Sequence, residues 1–234
     1  LGIVAVPDKR VENPAKISKS KKIINTTISF VDIAGLVKGA SKGEGLGNKF
    51  LSHIREVDAI IHMIRCFDSD DIQNVNLTVD PIRDLEIIET EMMLADLESI
   101  QKRLEKNNKK NVDEEQLKIL EIALDCINNN KDISILNSKF DKKKLNQSGL
   151  LSIKPKIFVC NVDEQSVHEG NNYTKNFMTK YGIENTLIVS ADIENQINEL
   201  DNNEKKNYMD MIGLKETGLD LLIQKGYKIP ELDT

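Results

Sequence analysis

The chain has no tryptophan, few aromatic residues and no paired cysteines, and each shortage argues against a class of protein. Aromatic residues make up 4% of the 234 positions, so we expect no surface that binds nucleic acid by stacking bases on aromatic rings. Cys66, Cys126 and Cys160 form no C-x-x-C pair, which argues against a zinc site or a disulfide framework. No run of about 18 apolar residues occurs, so we expect no membrane partner and a reducing cytoplasmic location.

The charge balance argues against a generally basic nucleic-acid binder and leaves a local basic patch open. The net charge is −6, which does not favour binding to free DNA. The content of 39% hydrophobic and 30% charged residues is typical of a globular protein, and the length suffices for one or two domains with a sizeable core.

The most informative motif is an aspartate that follows an apolar run. The run from Ile28 ends at Asp32, three residues before Gly35, and five of the 12 glycines lie between Gly35 and Gly47. In α/β proteins that handle phosphates, such an aspartate holds Mg²⁺ and the glycine amide faces the γ-phosphate. The alternative interpretation is a strand end followed by a flexible turn.

Apolar patterns predict an α/β fold with a mostly parallel sheet joined by crossover helices. The predicted strands are 3–6, 28–32, 58–67, 156–161 and 187–190, and the predicted helices are 46–57, 81–106, 115–128 and 172–180. The long apolar run at 58–67 is typical of a parallel strand that is covered on both faces.

Residues 81–148 interrupt this alternation. Leucine, isoleucine and methionine recur there at helical spacing, which predicts an inserted helical hairpin, with a short antiparallel coiled coil as one form of it. Residues 128–147 are polar and are expected to be mostly a solvated connector, with room for one short helical turn. Residues 1–80 and 149–234 are then two parts of one α/β domain.

Two further strand ends carry polar residues. Asn161-Val162-Asp163-Glu164 follows one predicted strand, and Ser190-Ala191 follows the next. Ligands of open α/β sheets bind at the carboxyl ends of the strands. The order matches a P-loop GTPase, with a metal-binding Asp-x-x-Gly, a base-reading Asn-Lys-x-Asp and a base-supporting Ser-Ala. Each motif taken alone is also typical of a turn or a helix cap.

The glycine-rich stretch at residues 30–48 resembles the signature of the YchF family, the Obg-like ATPases. Further matching motifs lie at residues 50–56, 65–67, 161–164 and 218–228, and the helical insert matches as well. The similarity as a whole covers almost the entire chain. The resemblance implies a P-loop-NTPase-type nucleotide-binding domain with a coiled-coil insert. It also implies ATP hydrolysis and the ribosome as a partner.

Two parts of the family pattern do not occur in the sequence. No G-x-x-x-x-G-K-[ST] motif is present. A P-loop with its strand and helix would need roughly 30–45 residues before Leu1, and the TGS domain would follow Thr234. We therefore expect the chain to lack the phosphate-binding loop and the TGS domain.

The base-reading motif favours adenine. Guanine presents two donors that a correctly placed aspartate accepts as a pair, and adenine offers neither. Here Glu164 stands in the place of that aspartate and Val162 in the place of the usual lysine. The family resemblance implies that Asn161, Val162, Glu164, Ser190 and Ala191 bind ATP. Asp163 keeps GTP open as the alternative, since a shift by one residue would place it near the base.

The catalytic positions predict slow hydrolysis. Leu36, directly after Gly35, takes the place of the glutamine that orients water in Ras-like proteins. Asn74 takes the place of a family histidine, and an amide positions water but cannot act as a base. Catalysis is then expected to rely on Mg²⁺ at Asp32 or on a monovalent cation such as K⁺. His53 and His62 are expected to be structural.

Three functions therefore remain open. The first is a slow ATPase whose glycine-rich loop orders when the γ-phosphate is bound. The second is a nucleotide-gated module that binds the ribosome with negligible hydrolysis. The third is a GTPase.

Overall fold

The computed structural model describes residues 2–6, 17–18, 25–33, 46–69, 78–107 and 113–228. Its strands are β1 Gly2–Ala5, β2 Thr27–Phe30, β3 Ile60–Arg65, β4 Lys156–Asn161 and β5 Thr186–Val189. Its helices are α1 Leu46–Glu56, α2 Pro81–Asn107, α3 Glu114–Asn128, α4 Ile135–Lys139, α5 Lys142–Ser148, α6 Asn172–Tyr181, α7 Ala191–Glu199, α8 Asn202–Ile212 and α9 Gly218–Tyr227. A 3₁₀ turn spans Glu164–Ser166.

The strands form two sheets, and the expected α/β class is confirmed. β3, β4 and β5 make a parallel sheet in that order, with Arg65 opposite Asn161 at its carboxyl edge. β1 and β2 form an antiparallel pair. Within the described part of the chain, β2 pairs with β1 alone, so the strand that leads to Asp32 does not belong to the parallel sheet.

One face of the parallel sheet is covered by α2 and α6. Ile64, Phe158 and Cys160 lie on this face and pack with Leu85 of α2 and Phe177 of α6. The Phe158 and Phe177 rings meet nearly edge to face, with centroids 5.4 Å apart. Each large apolar side chain buried here stabilises the fold by about 1.5–3 kcal/mol.

The opposite face is covered only over part of its width. Ile157 and Val159 of β4 pack there with Leu222 of α9. Ile61 and Met63 of β3 are paired with these two residues, yet 36% and 63% of their surfaces are exposed. The exposure of these two side chains contradicts the expectation that β3 is covered on both faces. Among the described elements, α9 packs over β4 and β5 and leaves Ile61 and Met63 uncovered.

The described parts of residues 81–148 contain the helices α2 to α5, which share an apolar cluster with Leu150. Ile100 of α2 packs with Ile119, Leu120 and Ala123 of α3, as the helical spacing predicts. Most residues of 128–147 are exposed, as expected for a mostly solvated connector. The segment nevertheless forms two short helices, α4 and α5, where one helical turn was predicted, and Leu136 and Leu145 are buried in the same cluster. The coiled-coil geometry and the division into domains stay predictions.

Asp96 joins α2 to the segment that leads into β4. Its carboxylate is fully buried and accepts hydrogen bonds from Leu151 N (2.9 Å), Ser152 N (2.8 Å) and Ser152 Oγ (2.7 Å). Burial raises the pKa of Asp96, and the three hydrogen bonds oppose that rise. Leu151 in turn packs with Leu51 of α1, so this contact fixes the junction of α1, α2 and β4.

Candidate nucleotide site

The carboxyl ends of β4 and β5 bring two of the predicted motifs together. Asn161 is the last residue of β4, and its Oδ1 accepts a hydrogen bond of 2.9 Å from the N–H of Ala191. A backbone hydrogen bond of 2.9 Å from Val162 N to Val189 O joins the same two strand ends. Asn161 and Ala191 are thus in direct contact although 30 residues separate them.

Ser190 has a buried hydroxyl at this rim. The residue is 1% exposed and precedes the first turn of α7, but its side chain makes no capping hydrogen bond. Its Oγ has no hydrogen-bond partner in the part of the protein that the structure describes. Since an unsatisfied buried polar group costs about 1–3 kcal/mol, this hydroxyl is a place where a ligand atom would supply a missing bond.

The two carboxylates after Asn161 have different surroundings. Asp163 accepts hydrogen bonds from Ser166 N (2.9 Å) and Ser166 Oγ (3.1 Å), which cap the 3₁₀ turn. Glu164 is exposed and accepts a hydrogen bond of 2.6 Å from Nε2 of Gln196 on α7. Gln196 was not predicted as a site residue, because a lone glutamine on an exposed helix face carries no sequence signal.

The side chain of Val162 belongs to the core. It is 2% exposed and packs in the cluster formed with α2 and α6. The residue therefore has a packing role here, and a direct contact between its side chain and a nucleotide stays a prediction.

Asp32 lies two residues beyond β2 and is exposed. The next residue, Ile33, packs against Leu51 and Ile54 of α1, which fixes the course of the chain at this point. Gly35, Leu36 and Asn74 lie outside the described residues. No group of three or more metal-binding side chains occurs in the ranges that the structure describes. A single exposed carboxylate fits Mg²⁺, which usually takes one or two carboxylates and completes its shell with water and phosphate.

Parallel strands with polar residues at their carboxyl ends, together with an Asp-x-x-Gly motif and a glycine-rich loop, are features of the class of P-loop GTPases. Residues 10–85 match a family model described as 50S ribosome-binding GTPase. The whole chain is 41% identical to the ribosome-binding ATPase YchF of Bacillus subtilis, of which it covers 67%, and 40% identical to that of Haemophilus influenzae, of which it covers 66%. The chain belongs to the YchF family.

A solved structure supports the same family. The fold resembles the YchF GTPase of Schizosaccharomyces pombe with a TM-score of 0.76 at 30% identity, over 99% of this chain and 65% of that one. The chain spans about two thirds of the length of the relatives that it matches. In the part of the chain that the structure describes, no helix has the length and apolar character needed to cross a membrane.

Proposed function

We propose that this protein, in its full-length form, binds Mg²⁺-ATP at the rim of β4 and β5, hydrolyses it slowly, and acts on the cytoplasmic ribosome as a switch in translation. The observation that carries the proposal is the contact of Asn161 with Ala191 beside the unpaired buried hydroxyl of Ser190. Relatives named ribosome-binding ATPases support the choice of ATP and of the ribosome. Residues 81–148 are then an insert in the nucleotide-binding domain.

The hydrogen bonds at the rim suit an adenine base. Because Asn161 Oδ1 accepts from Ala191, its Nδ2 is the group that can donate to an acceptor nitrogen of a purine. Recognition of guanine would need a carboxylate that accepts two donors at once. Asp163 is directed to Ser166 and Glu164 to Gln196, which supports a site that does not offer guanine the paired acceptor of an Asn-Lys-x-Asp motif.

The proposed chemistry needs few protein groups. Asp32 would hold Mg²⁺, which neutralises the charge that develops on the phosphates. The Gly35 amide would face the γ-phosphate, and Asn74 would position water, aided by Mg²⁺ or K⁺. Because Leu36 cannot hydrogen-bond water, turnover should be slow.

Asp32→Asn should weaken Mg²⁺-dependent ATP binding or turnover at least about tenfold, equivalent to about 1.4 kcal/mol, because it removes the charge that holds the metal. The measurement is ATP turnover over a range of Mg²⁺ concentrations. Asp58→Asn is the matched control, since Asp58 is an exposed aspartate that precedes β3 at the opposite edge of the sheet. An unchanged magnesium dependence in Asp32→Asn would show that Asp32 does not support the metal.

Turnover with and without ribosomes separates the two main functions. A slow ATPase hydrolyses ATP measurably in both conditions. A nucleotide-gated binding module changes its affinity for ribosomes when ATP is added, yet shows negligible turnover. If the protein neither hydrolyses ATP nor binds ribosomes in an ATP-dependent way, the proposed function is wrong.

A further inference from the structure

The segment that follows β3, residues 66–69, lies against Asn161. Cys66, the first residue after β3, donates its N–H to the carbonyl of Asn161 across 2.8 Å. Asn161 is thus held on two sides, by Cys66 at its carbonyl and by Ala191 at its side chain. Any group that fixes the Cys66 peptide therefore also fixes the strand end that carries Asn161.

Two residues at the start of α6 hold this segment from outside. Nδ2 of Asn171 donates to the carbonyl of Cys66 at 2.6 Å. The hydroxyl of Tyr173 lies 3.0 Å from each carboxylate oxygen of Asp68. Both contacts span 105 residues of sequence, so they tie α6 directly to the rim.

α6 is itself firmly placed, which makes it a suitable support. Asn171 caps the helix, with Oδ1 accepting from Thr174 N at 3.1 Å, and Thr174 Oγ1 accepts from Asn171 N at 2.8 Å. Thr174 is 1% exposed, and Phe177 on the same helix is fully buried in the core. The Asn171 side chain therefore uses its oxygen, Oδ1, for the cap and its nitrogen, Nδ2, for the bond to Cys66.

The segment is also held by contacts between Arg65 and Phe67. Nε of Arg65 donates to the carbonyl of Phe67 at 3.1 Å, and the guanidinium carbon lies 4.9 Å from the centre of the Phe67 ring. The conformation of this short stretch is thus determined by Arg65 from within and by α6 from outside.

We propose that Asn171 and Tyr173 are positioning residues for the base of the bound nucleotide. They act through Cys66 and Asp68, and they fix Asn161 without touching the ligand. The inference rests on the proposed function, since it assigns these residues to the same site. It confines their influence to the base and excludes an influence on the phosphates, which bind elsewhere.

Asn171→Ser and Tyr173→Phe separate positioning from folding. Serine is as good a helix cap as asparagine, so Asn171→Ser keeps the cap and removes only the donor to Cys66. Tyr173→Phe keeps the ring and removes the hydroxyl. Asn172→Ala is the matched control, since Asn172 is the exposed neighbour in the same turn.

The affinities of two ligands, Mg²⁺-ATP and Mg²⁺-tripolyphosphate, are measured on the full-length protein, with KM and kcat for ATP. Each variant should weaken ATP binding and raise KM about threefold to tenfold, the loss expected for one hydrogen bond. We expect kcat to stay within about twofold of wild type, because the reacting atoms are untouched. Tripolyphosphate carries no base, so its affinity should not change in either variant, and Asn172→Ala should leave both affinities unchanged.

Two outcomes would overturn the inference. Unchanged ATP affinity in both variants would show that the contacts to Cys66 and Asp68 do not position the site. Equal losses for ATP and tripolyphosphate would indicate a general disturbance of the fold. If Asn171→Ser does not fold, the same comparison in Tyr173→Phe decides. Failure of the wild-type protein to bind ATP would instead reject the proposed function, and the inference with it.

Discussion

Asp96→Ala is expected to lower the free energy of unfolding by about 3 kcal/mol, because it leaves buried donors of Leu151 and Ser152 without an acceptor. The loss should be large because the carboxylate is fully buried and joins segments 55 residues apart. Urea denaturation followed by circular dichroism measures it. Asp96→Asn keeps one acceptor oxygen, so it should have an intermediate stability.

Glu98→Ala provides the matched control on the same helix. Glu98 is half exposed and pairs with Lys102 one turn later, an arrangement worth about 0.3–0.5 kcal/mol. A loss in Asp96→Ala no larger than that in Glu98→Ala would contradict the role given to the buried carboxylate.

His62 should make the protein less stable in mild acid. Burial, aided by the nearby Lys156 charge, lowers the pKa of His62 from 6.5 to about 4. As the pH falls below 6.5 the unfolded chain takes up a proton that the folded chain does not, so stability is lost between pH 6.5 and pH 4. The loss at pH 4 should be about 2 to 3 kcal/mol.

His62→Phe removes this proton uptake and keeps a ring that can stack on Phe158, whose centroid is 5.7 Å from that of His62. The difference in unfolding free energy between pH 7 and pH 4 should therefore be smaller in His62→Phe than in wild type. His53→Gln is the control, since His53 is exposed on α1. Equal acid losses in wild type and His62→Phe would show that His62 does not titrate with a lowered pKa.

Elements with a local signal were predictable from the sequence. The apolar run 156–161 predicted β4 at its observed bounds, because a buried parallel strand is apolar on both faces. The helix predicted at 172–180 differs from α6 by one residue. The local signals for this helix are Asn171, a residue type that caps helices well, and Phe177 on its apolar face.

Elements that depend on distant contacts were not predictable. Leu136 and Leu145 stand in a polar sequence, and only the apolar faces of α2 and α3 make their burial favourable. Asp96 lies among other acids on α2 and resembles a solvated residue until residues 151–152 are placed against it.

Some contacts of the candidate site were likewise predictable from the sequence, and others were not. The meeting of Asn161 with Ala191 follows from the rule that parallel strands end at one edge, so the sequence sufficed. The contact of Asn171 with Cys66 did not follow, because a cap residue gives no sign of a second partner 105 residues away. The roles of Gly35, Leu36 and Asn74 stay predictions, since they lie outside the described residues.

Calorimetric titration of the full-length protein with Mg²⁺-ATP and with Mg²⁺-GTP tests the central claim, which is that the rim of Asn161, Glu164 and Ser190 reads adenine. We expect ATP to bind more tightly than GTP, because Asp163 is directed to Ser166 and Glu164 to Gln196, and neither is aligned as the paired acceptor that guanine needs. Tighter binding of GTP would contradict the claim and would assign the reading of the base to Asp163.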